Sequence, residues 1–441
     1  MLMPSRRDFL AMVPVAALGP AILTPADARA QASPAAASGA QAINASVFRG
    51  EHIRSVTAVT EVFGRSQRST AAIVEYDAPI ANAGVAASDW SVAGRSITRS
   101  YANDRAEKAA EGRDGRFVVL ELDPEDAGAV VFAPNVEQPA TLMVSQVAPV
   151  RTVAGVTCAA TTTAVINTRQ LNLIVDDFQQ FRFTDPETGL LLAYNLFVPR
   201  DYDSSKAYPL VLFMHDAGVT GSNPLRTLQQ GLGAVSFASP ADQARHPAFV
   251  LAPQYPVAIA NDASQVNDYA DITVRLIHEL STRYRIDPRR LYTTGQSGGC
   301  MTSIALNIKY PDLFAASLLV AGQWDPAQVA PMAKHKLWII VAQDDAKAYP
   351  GMNAITGVLE RNGAKVTRSV WDGRSDAAGF QKSVDAMLKD GPDSNVYYTA
   401  LRQGTVIPEG VNVNGGSGHV WTWPIAYAIP GVRHWLLQQH R

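Results

Sequence analysis

Residues 291–301, Leu-Tyr-Thr-Thr-Gly-Gln-Ser-Gly-Gly-Cys-Met, decide the fold that the sequence predicts. The apolar run that opens this stretch is typical of a buried strand, and an apolar helix follows it. In this context a Gly-x-Ser-x-Gly motif holds Ser297 exposed on a sharp turn. Gly295 and Gly299 leave no Cβ where strand and helix nearly touch, and Gly298 offers its backbone N–H at the helix start. The pattern predicts a nucleophilic serine, with a Gly-rich turn carrying a solvated serine as the structural alternative.

Composition excludes several classes of protein. The chain has 441 residues, 47% of them hydrophobic, which is enough for two domains with sizeable cores. Its 38 basic and 40 acidic residues give a formal charge of −2, which argues against a nucleic-acid groove or a strongly basic membrane surface. We therefore expect no nucleic-acid partner and a neutral small molecule or polymer as substrate. Two cysteines, Cys158 and Cys300, make no disulfide framework, and the sequence leaves open whether they are bonded.

The start of the chain has the pattern of an export signal. An arginine pair, Arg6 and Arg7, precedes an uncharged run over 11–23 and a small-residue cleavage site. The pair resembles the twin-arginine type, which implies the twin-arginine export machinery as a partner and a periplasmic or secreted location. The apolar run is shorter than the ~20 residues of a membrane-spanning helix, so we expect no stable membrane insertion after signal cleavage. We assign 1–30 to the signal and 31–47, rich in Ala, Ser and Gly, to a disordered linker.

Two patterns divide the rest of the chain. Short β-rich runs separated by turn residues, from 53 to 147, predict a small all-β sandwich over 48–165. Over 166–441, apolar strands without a polar face alternate with helices, which is typical of a doubly wound, mostly parallel α/β sheet. The segment 171–175 is predicted as a first strand of this second domain. Asp287-Pro288 is predicted to end a helix and to form a turn before the next strand.

A nucleophilic serine needs a base to take its proton and an acid to orient that base. An apolar strand ends at Asp344 and Asp345, and a carboxylate in a loop after such a strand is suited to the orienting role. Chemistry alone does not separate these two neighbours. Of the histidines beyond them, His434 falls on a final amphipathic helix and His440 in the tail. His419, which follows a Gly-rich loop and precedes a helix, is therefore the candidate base.

With these residues assembled, the region from about 181 to 441 resembles the α/β-hydrolase superfamily, near secreted esterases of the polyhydroxybutyrate-depolymerase-like and feruloyl-esterase-like kinds. The resemblance is carried by Gly-Gln-Ser-Gly-Gly, by Tyr-Pro-Leu-Val-Leu-Phe-Met-His-Asp-Ala-Gly over 208–218, by Asp345 with the residues after it, and by His419 with its Trp-rich sequel. The upstream part, 53–147, is similar to the immunoglobulin-like N-terminal domain of some bacterial esterases. The implied architecture is an α/β-hydrolase domain preceded by an immunoglobulin-like sandwich.

The resemblance also implies roles for particular residues. Ser297, Asp345 and His419 would form a catalytic triad, with Asp345 preferred over its neighbour on this ground alone. The backbone N–H of Ala217 would join that of Gly298 in binding the oxyanion of a tetrahedral intermediate.

One departure from the family pattern puts that second oxyanion donor in doubt. Many members read His-Gly where this chain has His215 followed by Asp216, and a negative side chain would disfavour an oxyanion unless it points away. His215 itself is predicted to be structural. Trp421 and Trp423 are candidates for the wall of a substrate cleft, and they are equally suited to packing in a core.

The predicted function is hydrolysis of a carboxylic ester, small or polymeric, through an acyl-enzyme on the serine, with no cofactor and no metal. Two alternatives remain open at this point. A prolyl-oligopeptidase-like serine peptidase would use the same triad, although no propeller-like repeat array precedes the hydrolase part. A non-catalytic binding protein would use the hydrolase domain as a scaffold.

Overall fold

A computed structural model describes residues 52–161, 163–411, 414 and 416–441. The predicted signal, 1–30, and the predicted linker, 31–47, lie outside the described residues. All described residues belong to one compact unit. Within the described ranges, no helix has the length and apolarity that crossing a bilayer requires.

The N-terminal part is built from short strands that form a sandwich. The strands are β1 (Ile53–Phe63), β2 (Ser66–Ile80), β3 (Trp90–Val92), β4 (Ile97–Asn103), β5 (Gly115–Leu122), β6 (Val130–Ala133), β7 (Val136–Glu137), β8 (Met143–Gln146), β9 (Val150–Arg151), β10 (Thr157–Cys158), β11 (Val165–Ile166) and β12 (Arg169–Asn172). One sheet has the order β12-β1-β2-β5-β4, with β6 and β7 continuing from β2, and a second has the order β11-β8-β3. A shared apolar core contains Val74, Leu120 and Val144 from the two sheets, so the predicted sandwich is confirmed.

Side-chain alternation along β2 explains this packing. Ala72, Val74 and Tyr76 face the core between the sheets, whereas Ala71 and Ile73 belong to a smaller cluster on the opposite face. Successive side chains of a strand point to opposite faces, so a strand that is apolar at every position is covered on both sides.

The C-terminal part is a nine-stranded sheet with helices on both faces. Its strands are β13 (Gln179–Thr184), β14 (Leu191–Phe197), β15 (Tyr208–Met214), β16 (Phe249–Gln254), β19 (Ile286–Gln296), β20 (Ala316–Val320), β21 (Leu337–Ala342), β22 (Val366–Trp371) and β23 (Val396–Leu401), and β17 (Ala260–Asn261) and β18 (Gln265–Val266) form a separate hairpin. The helices are α1 (Arg226–Gln229), α2 (Leu232–Val235), α3 (Pro240–Arg245), α4 (Tyr269–Arg283), α5 (Gly298–Lys309), α6 (Ala348–Arg361), α7 (Ala377–Asp390), α8 (Ser417–Ala428) and α9 (Pro430–Gln438). The sheet order is β13-β14-β16-β15-β19-β20-β21-β23-β22, and β14 pairs antiparallel with both of its neighbours while the remaining pairs are parallel.

The central strand β15 shows why this sheet is buried on both faces. Val211 and Phe213 join the core that α7, α8 and α9 cover, whereas Leu210, Leu212 and Met214 join the core beneath α4. A continuous apolar strand of this kind is typical of a doubly wound sheet. The predicted fold class, a mostly parallel α/β-hydrolase sheet preceded by an all-β sandwich, is confirmed.

Three details of the predicted organisation are wrong. Of the segment 171–175, predicted as a first hydrolase strand, only Leu171 and Asn172 are in a strand, β12, which pairs in parallel with β1, so the N-terminal sheet extends past the predicted boundary at 165/166. Asp287-Pro288 does not follow a helix directly, because α4 ends at Arg283 and β19 already begins at Ile286. The pairing of β15 with β19 jumps from Ile286 to Leu291, so the dipeptide lies in a bulge within the strand. In addition, strand β23 was not predicted, and it lies between β21 and β22.

Candidate active site

Ser297 stands on the sharp turn between β19 and α5. Its backbone is in a conformation that L-residues rarely adopt, with φ 52° and ψ −119°. The flanking glycines make this turn possible. A Cβ on Gly299 would lie 1.9 Å from the Met214 carbonyl oxygen, and one on Gly295 would lie 2.7 Å from the same atom. The predicted close approach of strand and helix is therefore present, and it leaves the serine partly exposed at the carboxyl end of the sheet.

His419 bridges Ser297 and Asp345. Its Nε2 lies 2.9 Å from Ser297 Oγ, and its Nδ1 lies 2.5 Å from Asp345 Oδ2. A carboxylate can only accept, so Nδ1–H donates to Asp345 and Nε2 is left to accept from the serine hydroxyl. His419 lies in the first turn of α8, and not in a loop before the helix as predicted. A Cβ on Gly418 would lie 2.6 Å from the Asp344 carbonyl oxygen, so this glycine lets α8 start directly against the end of β21.

Asp345 is held in place by backbone amides as well as by the histidine. Its Oδ1 accepts from the N–H groups of Lys347, at 3.1 Å, and Ala348, at 2.8 Å, and the residue is only 3% exposed. Burial acts to raise the pKa of Asp345, but the hydrogen bond and charge of His419 and the two amide donors outweigh it and lower that pKa. Its neighbour Asp344 instead accepts from the Gly404 N–H at 2.7 Å. The structure thus separates two carboxylates that chemistry alone did not.

Two backbone amides lie together beside the serine. A Cβ on Gly298 would lie 3.7 Å from the backbone nitrogen of Ala217. Gly298 is the first residue of α5, and Ala217 is the first residue of a 3₁₀ turn, Ala217–Val219, so neither amide has an acceptor within its own helix. Two neighbouring backbone N–H groups without helical acceptors are the kind of donors from which an oxyanion hole is built.

The carboxylate of Asp216 is engaged by other groups. Its Oδ1 caps the 3₁₀ turn by accepting from the Gly218 N–H at 2.8 Å, and its Oδ2 accepts from Gln296 Nε2 at 3.0 Å. Gln296 Nε2 is also 3.1 Å from Gln230 Oε1. Asp216, which stands where many family members have glycine, therefore has a structural role, since its side chain fixes the loop that presents the Ala217 amide.

His215 is buried and fully engaged. Its Nδ1–H donates to the Asp216 carbonyl at 2.7 Å, and its Nε2 accepts from the Tyr255 N–H at 2.9 Å. Burial lowers the pKa of His215, and the carbonyl and carboxylate of Asp216 oppose that effect. The ring is neutral and has no free nitrogen, which agrees with the predicted structural role.

Trp421 and Trp423 follow His419 on α8. The Trp423 ring stands edge-on to the His419 ring with 5.3 Å between centroids, and it is 9% exposed. Trp421 is partly buried and packs against the same core. Trp423 is thus a core residue that also borders the histidine, whereas Trp421 lies at the edge of that core.

The cysteines lie in separate cores and are free. Cys158 is in the core of the sandwich, and Cys300 is in a core on one face of the hydrolase sheet. Burial raises the pKa of the Cys300 thiol. In the described part of the chain, no three His, Cys, Asp or Glu side chains are grouped so that they could hold a metal ion.

Sequence reasoning missed two side chains beside the site. Gln296 could have been found, because it lies within the Gly-Gln-Ser-Gly-Gly motif itself. Arg65 had no signal in the sequence: it belongs to the turn between β1 and β2, and its guanidinium lies over the rings of Trp421 and Trp423.

Three features of the second part of the chain together identify its fold: the sheet order, the single antiparallel strand β14 and the serine turn after β19. The chain has the α/β-hydrolase fold. Residues 55–163 match the family described as the esterase Ig-like N-terminal domain. The chain is also similar to a crystal structure of a thermostable esterase, with 28% identity and a TM-score of 0.75, over 88% of this chain and 100% of that one.

A shorter similarity links the chain to a poly(3-hydroxyalkanoate) depolymerase C of Paucimonas lemoignei. The two are 31% identical over 103 residues, which make up 23% of this chain. The chain spans only about a quarter of that relative's length, 24%. These similarities confirm the predicted resemblance to esterases with an immunoglobulin-like N-terminal domain, and they agree with the predicted ester-hydrolase class.

Proposed function

We propose that this protein is a serine-dependent hydrolase of carboxylic esters that works through an acyl-enzyme. The observation that carries the proposal is the position of His419, with one ring nitrogen 2.9 Å from Ser297 Oγ and the other 2.5 Å from Asp345 Oδ2. The similarity to a thermostable esterase and to a polyester depolymerase supports an ester as the bond that is cleaved.

In the first half of the reaction, Ser297 Oγ attacks the carbonyl carbon of the ester while its proton passes to His419 Nε2. Asp345 accepts the Nδ1–H and stabilises the imidazolium that forms. The carbonyl oxygen becomes an oxyanion, which the N–H groups of Gly298 and Ala217 bind. The imidazolium then gives its proton to the leaving alcohol, and the acyl group stays on the serine.

In the second half, a water molecule repeats these steps in place of the alcohol. It gives a proton to His419 as it attacks the acyl carbon, and the collapse of the second oxyanion returns that proton to Ser297 and releases the carboxylic acid. Trp421 and Trp423 form a wall of the cleft beside the histidine in this proposal, which their position along α8 supports.

The test replaces the nucleophile. We expect Ser297→Ala to lower kcat for p-nitrophenyl butyrate by on the order of 10⁴-fold or more, because the covalent route is removed. We also expect a fluorophosphonate probe to label the wild-type protein once per chain and the variant not at all. Turnover by the variant at the wild-type rate would refute the assignment, and faster cleavage of a matched anilide than of the ester would point to a peptidase.

We further propose that the protein is exported to the periplasm or beyond by the twin-arginine machinery, which the pair Arg6 and Arg7 before an apolar run supports. Replacing both arginines by lysine should leave full-length protein in the cytoplasm. Fractionation that finds the variant exported as efficiently as wild type would contradict this proposal.

A further inference from the structure

The turn between β1 and β2 reaches from the sandwich into the hydrolase part. A Cβ on Gly231, which precedes α2, would lie 2.4 Å from the Gly64 carbonyl oxygen. On the other side, a Cβ on Gly64 would lie 3.3 Å from Pro424 Cβ of α8. Gly64 adopts a positive φ of 32° in this turn. The turn is therefore wedged between α2 and α8, the helix that carries His419.

This wedge places Arg65 beside the candidate active site. Its guanidinium carbon lies 5.3 Å from the ring centroid of Trp421 and 5.9 Å from that of Trp423. Trp423 in turn contacts His419, with 5.3 Å between ring centroids. A residue of the N-terminal sandwich thus lies over the two tryptophans that follow His419 on α8.

Within the described ranges, the Arg65 side chain has no hydrogen-bond partner. Among the described residues its guanidinium has no ion pair and no hydrogen bond, and the neighbouring Trp423 Nε1 is buried without an acceptor. By contrast, Arg95 of the same sandwich, with its side chain 2% exposed, binds Asp126 and several oxygens of nearby residues. Burial lowers the pKa of Arg65, and the charge of Asp216 opposes that effect. An arginine remains protonated under these conditions, so a positive charge lies over Trp421 and Trp423, and its N–H groups have no acceptor among the described residues.

We propose that Arg65 is a specificity-determining residue, and that the preferred substrate is an ester carrying a second, ionised carboxyl group that this guanidinium binds. A planar guanidinium pairs with a carboxylate through two parallel hydrogen bonds. The aromatic rings beneath the guanidinium hold it in one orientation. The sandwich thereby supplies part of the substrate site. This inference rests on the proposed ester hydrolysis.

The experiment compares esters that differ only in charge. On the acyl side the pair is p-nitrophenyl pentanoate and mono-p-nitrophenyl glutarate, and on the alcohol side it is 4-carbamoylphenyl acetate and 4-carboxyphenyl acetate. We expect wild type to prefer the charged member of at least one pair. Arg65→Gln should lower kcat/KM for that member by about tenfold or more, mainly through KM, and should change the neutral member by less than about threefold. The pair that responds identifies the side of the ester that bears the carboxylate.

Two further variants distinguish binding of the substrate carboxylate by Arg65 from a role of Arg65 in packing the sandwich against the hydrolase part. Arg65→Lys keeps the charge and should keep part of the preference. Arg226→Gln removes a different arginine between the two parts of the chain, one that lies over Phe132 and pairs with Glu137, and should leave the ratio of charged to neutral ester unchanged. Equal losses on both members in Arg65→Gln, or the same change of ratio in Arg226→Gln, would overturn the proposal. Hydrolysis of the neutral esters reports the proposed function separately, because it depends on Ser297 and not on Arg65.

Discussion

The orientation of one imidazole ring decides what Ser297 can do. Without a fixed acceptor at Nδ1, the ring of His419 could turn or carry its proton on the nitrogen that faces the serine. Asp345 removes that freedom because it is itself held by two backbone amides and is almost fully buried. The orientation of His419 therefore depends on a carboxylate bound to the ring nitrogen that faces away from Ser297.

Asp345→Asn should abolish most of the activity while leaving the fold intact. An amide can present its N–H₂ to Nδ1, which favours the wrong tautomer of His419, so we expect kcat to fall by on the order of 10³ to 10⁴-fold. Steady-state kinetics with p-nitrophenyl butyrate measures the loss, and thermal unfolding checks the fold.

The adjacent carboxylate is the matched control. Asp344→Asn keeps an oxygen that can accept from the Gly404 N–H, and kcat should stay within about threefold of wild type. A large loss in Asp344→Asn together with a small one in Asp345→Asn would reverse the assignment of the acid.

At the scale of single residues, the serine and its glycines were predicted from a local motif, and His419 was predicted from its place in the chain after the candidate acids, with His434 and His440 set aside. The selection of Asp345 over Asp344 was not accessible from residues alone, because both lie in the same loop and only the direction of each side chain separates them. Arg65 was not accessible at all. Its position depends on how a hairpin of the first domain packs on α8, which no local pattern encodes.

Among the elements, the contact of β15 with the start of α5 is the tightest constraint near the serine. The helix approaches the strand so closely that a methyl group on Gly299 would overlap the Met214 carbonyl. The strained serine backbone persists because the elements on both sides are fixed by the buried sheet.

Gly299→Ala should therefore destabilise the protein by about 3 kcal/mol or more, since either α5 or β15 must move to admit the Cβ. Urea unfolding measures the change, and residual activity should be lost as well because the serine is displaced. Gly357→Ala is the control: this glycine lies within α6, where a Cβ would meet only Arg361 Nη1 at 3.5 Å. That substitution should be neutral or stabilise by about 0.5 to 1 kcal/mol. Equal effects of the two substitutions would contradict the packing argument.

The elements that sequence reasoning placed correctly are those with an unambiguous period. The apolar run of β15 and, apart from β23, the alternation of strands and helices after it fitted only one interpretation. The prediction for Asp287-Pro288 was wrong because proline usually ends a helix or strand. Here Pro288 occupies a bulge, where no ladder hydrogen bond is needed. The last two residues of β12 were assigned to the wrong sheet, since pairing between β1 and a segment more than a hundred residues later is decided by tertiary structure.

For the whole molecule, resistance to acid depends on carboxylates that are paired in the fold. Hydrogen bonds from Arg275 lower the pKa of the buried Asp185 to about 2, with help from Thr188 and against the effect of burial. The folded-state pKa lies below the value of about 3.9 for an unfolded chain. The stabilisation is therefore complete above about pH 4 and is lost as the pH falls toward 2.

Asp185→Asn should lower the free energy of unfolding by about 2 kcal/mol at pH 7, in the range for hydrogen bonds to charged groups. The difference from wild type should shrink as the pH is lowered from 4 to 2, because wild type loses the same interaction there. Urea unfolding at a series of pH values measures both. The exposed Asp201 provides the control, and Asp201→Asn should change stability by less than about 0.5 kcal/mol throughout. A difference that grew on acidification would contradict this assignment.

The parallel pairing of β12 with β1 has a practical consequence for anyone who transplants the sandwich onto another enzyme. A graft trimmed at residue 165 would omit β12 and leave Thr57, Ala58, Val59 and Thr60 without their partners on that side. Such an open border invites strand addition by a second molecule. The natural cut for a chimera therefore lies beyond Asn172, and the sandwich should be moved together with the segment that joins it to its enzyme.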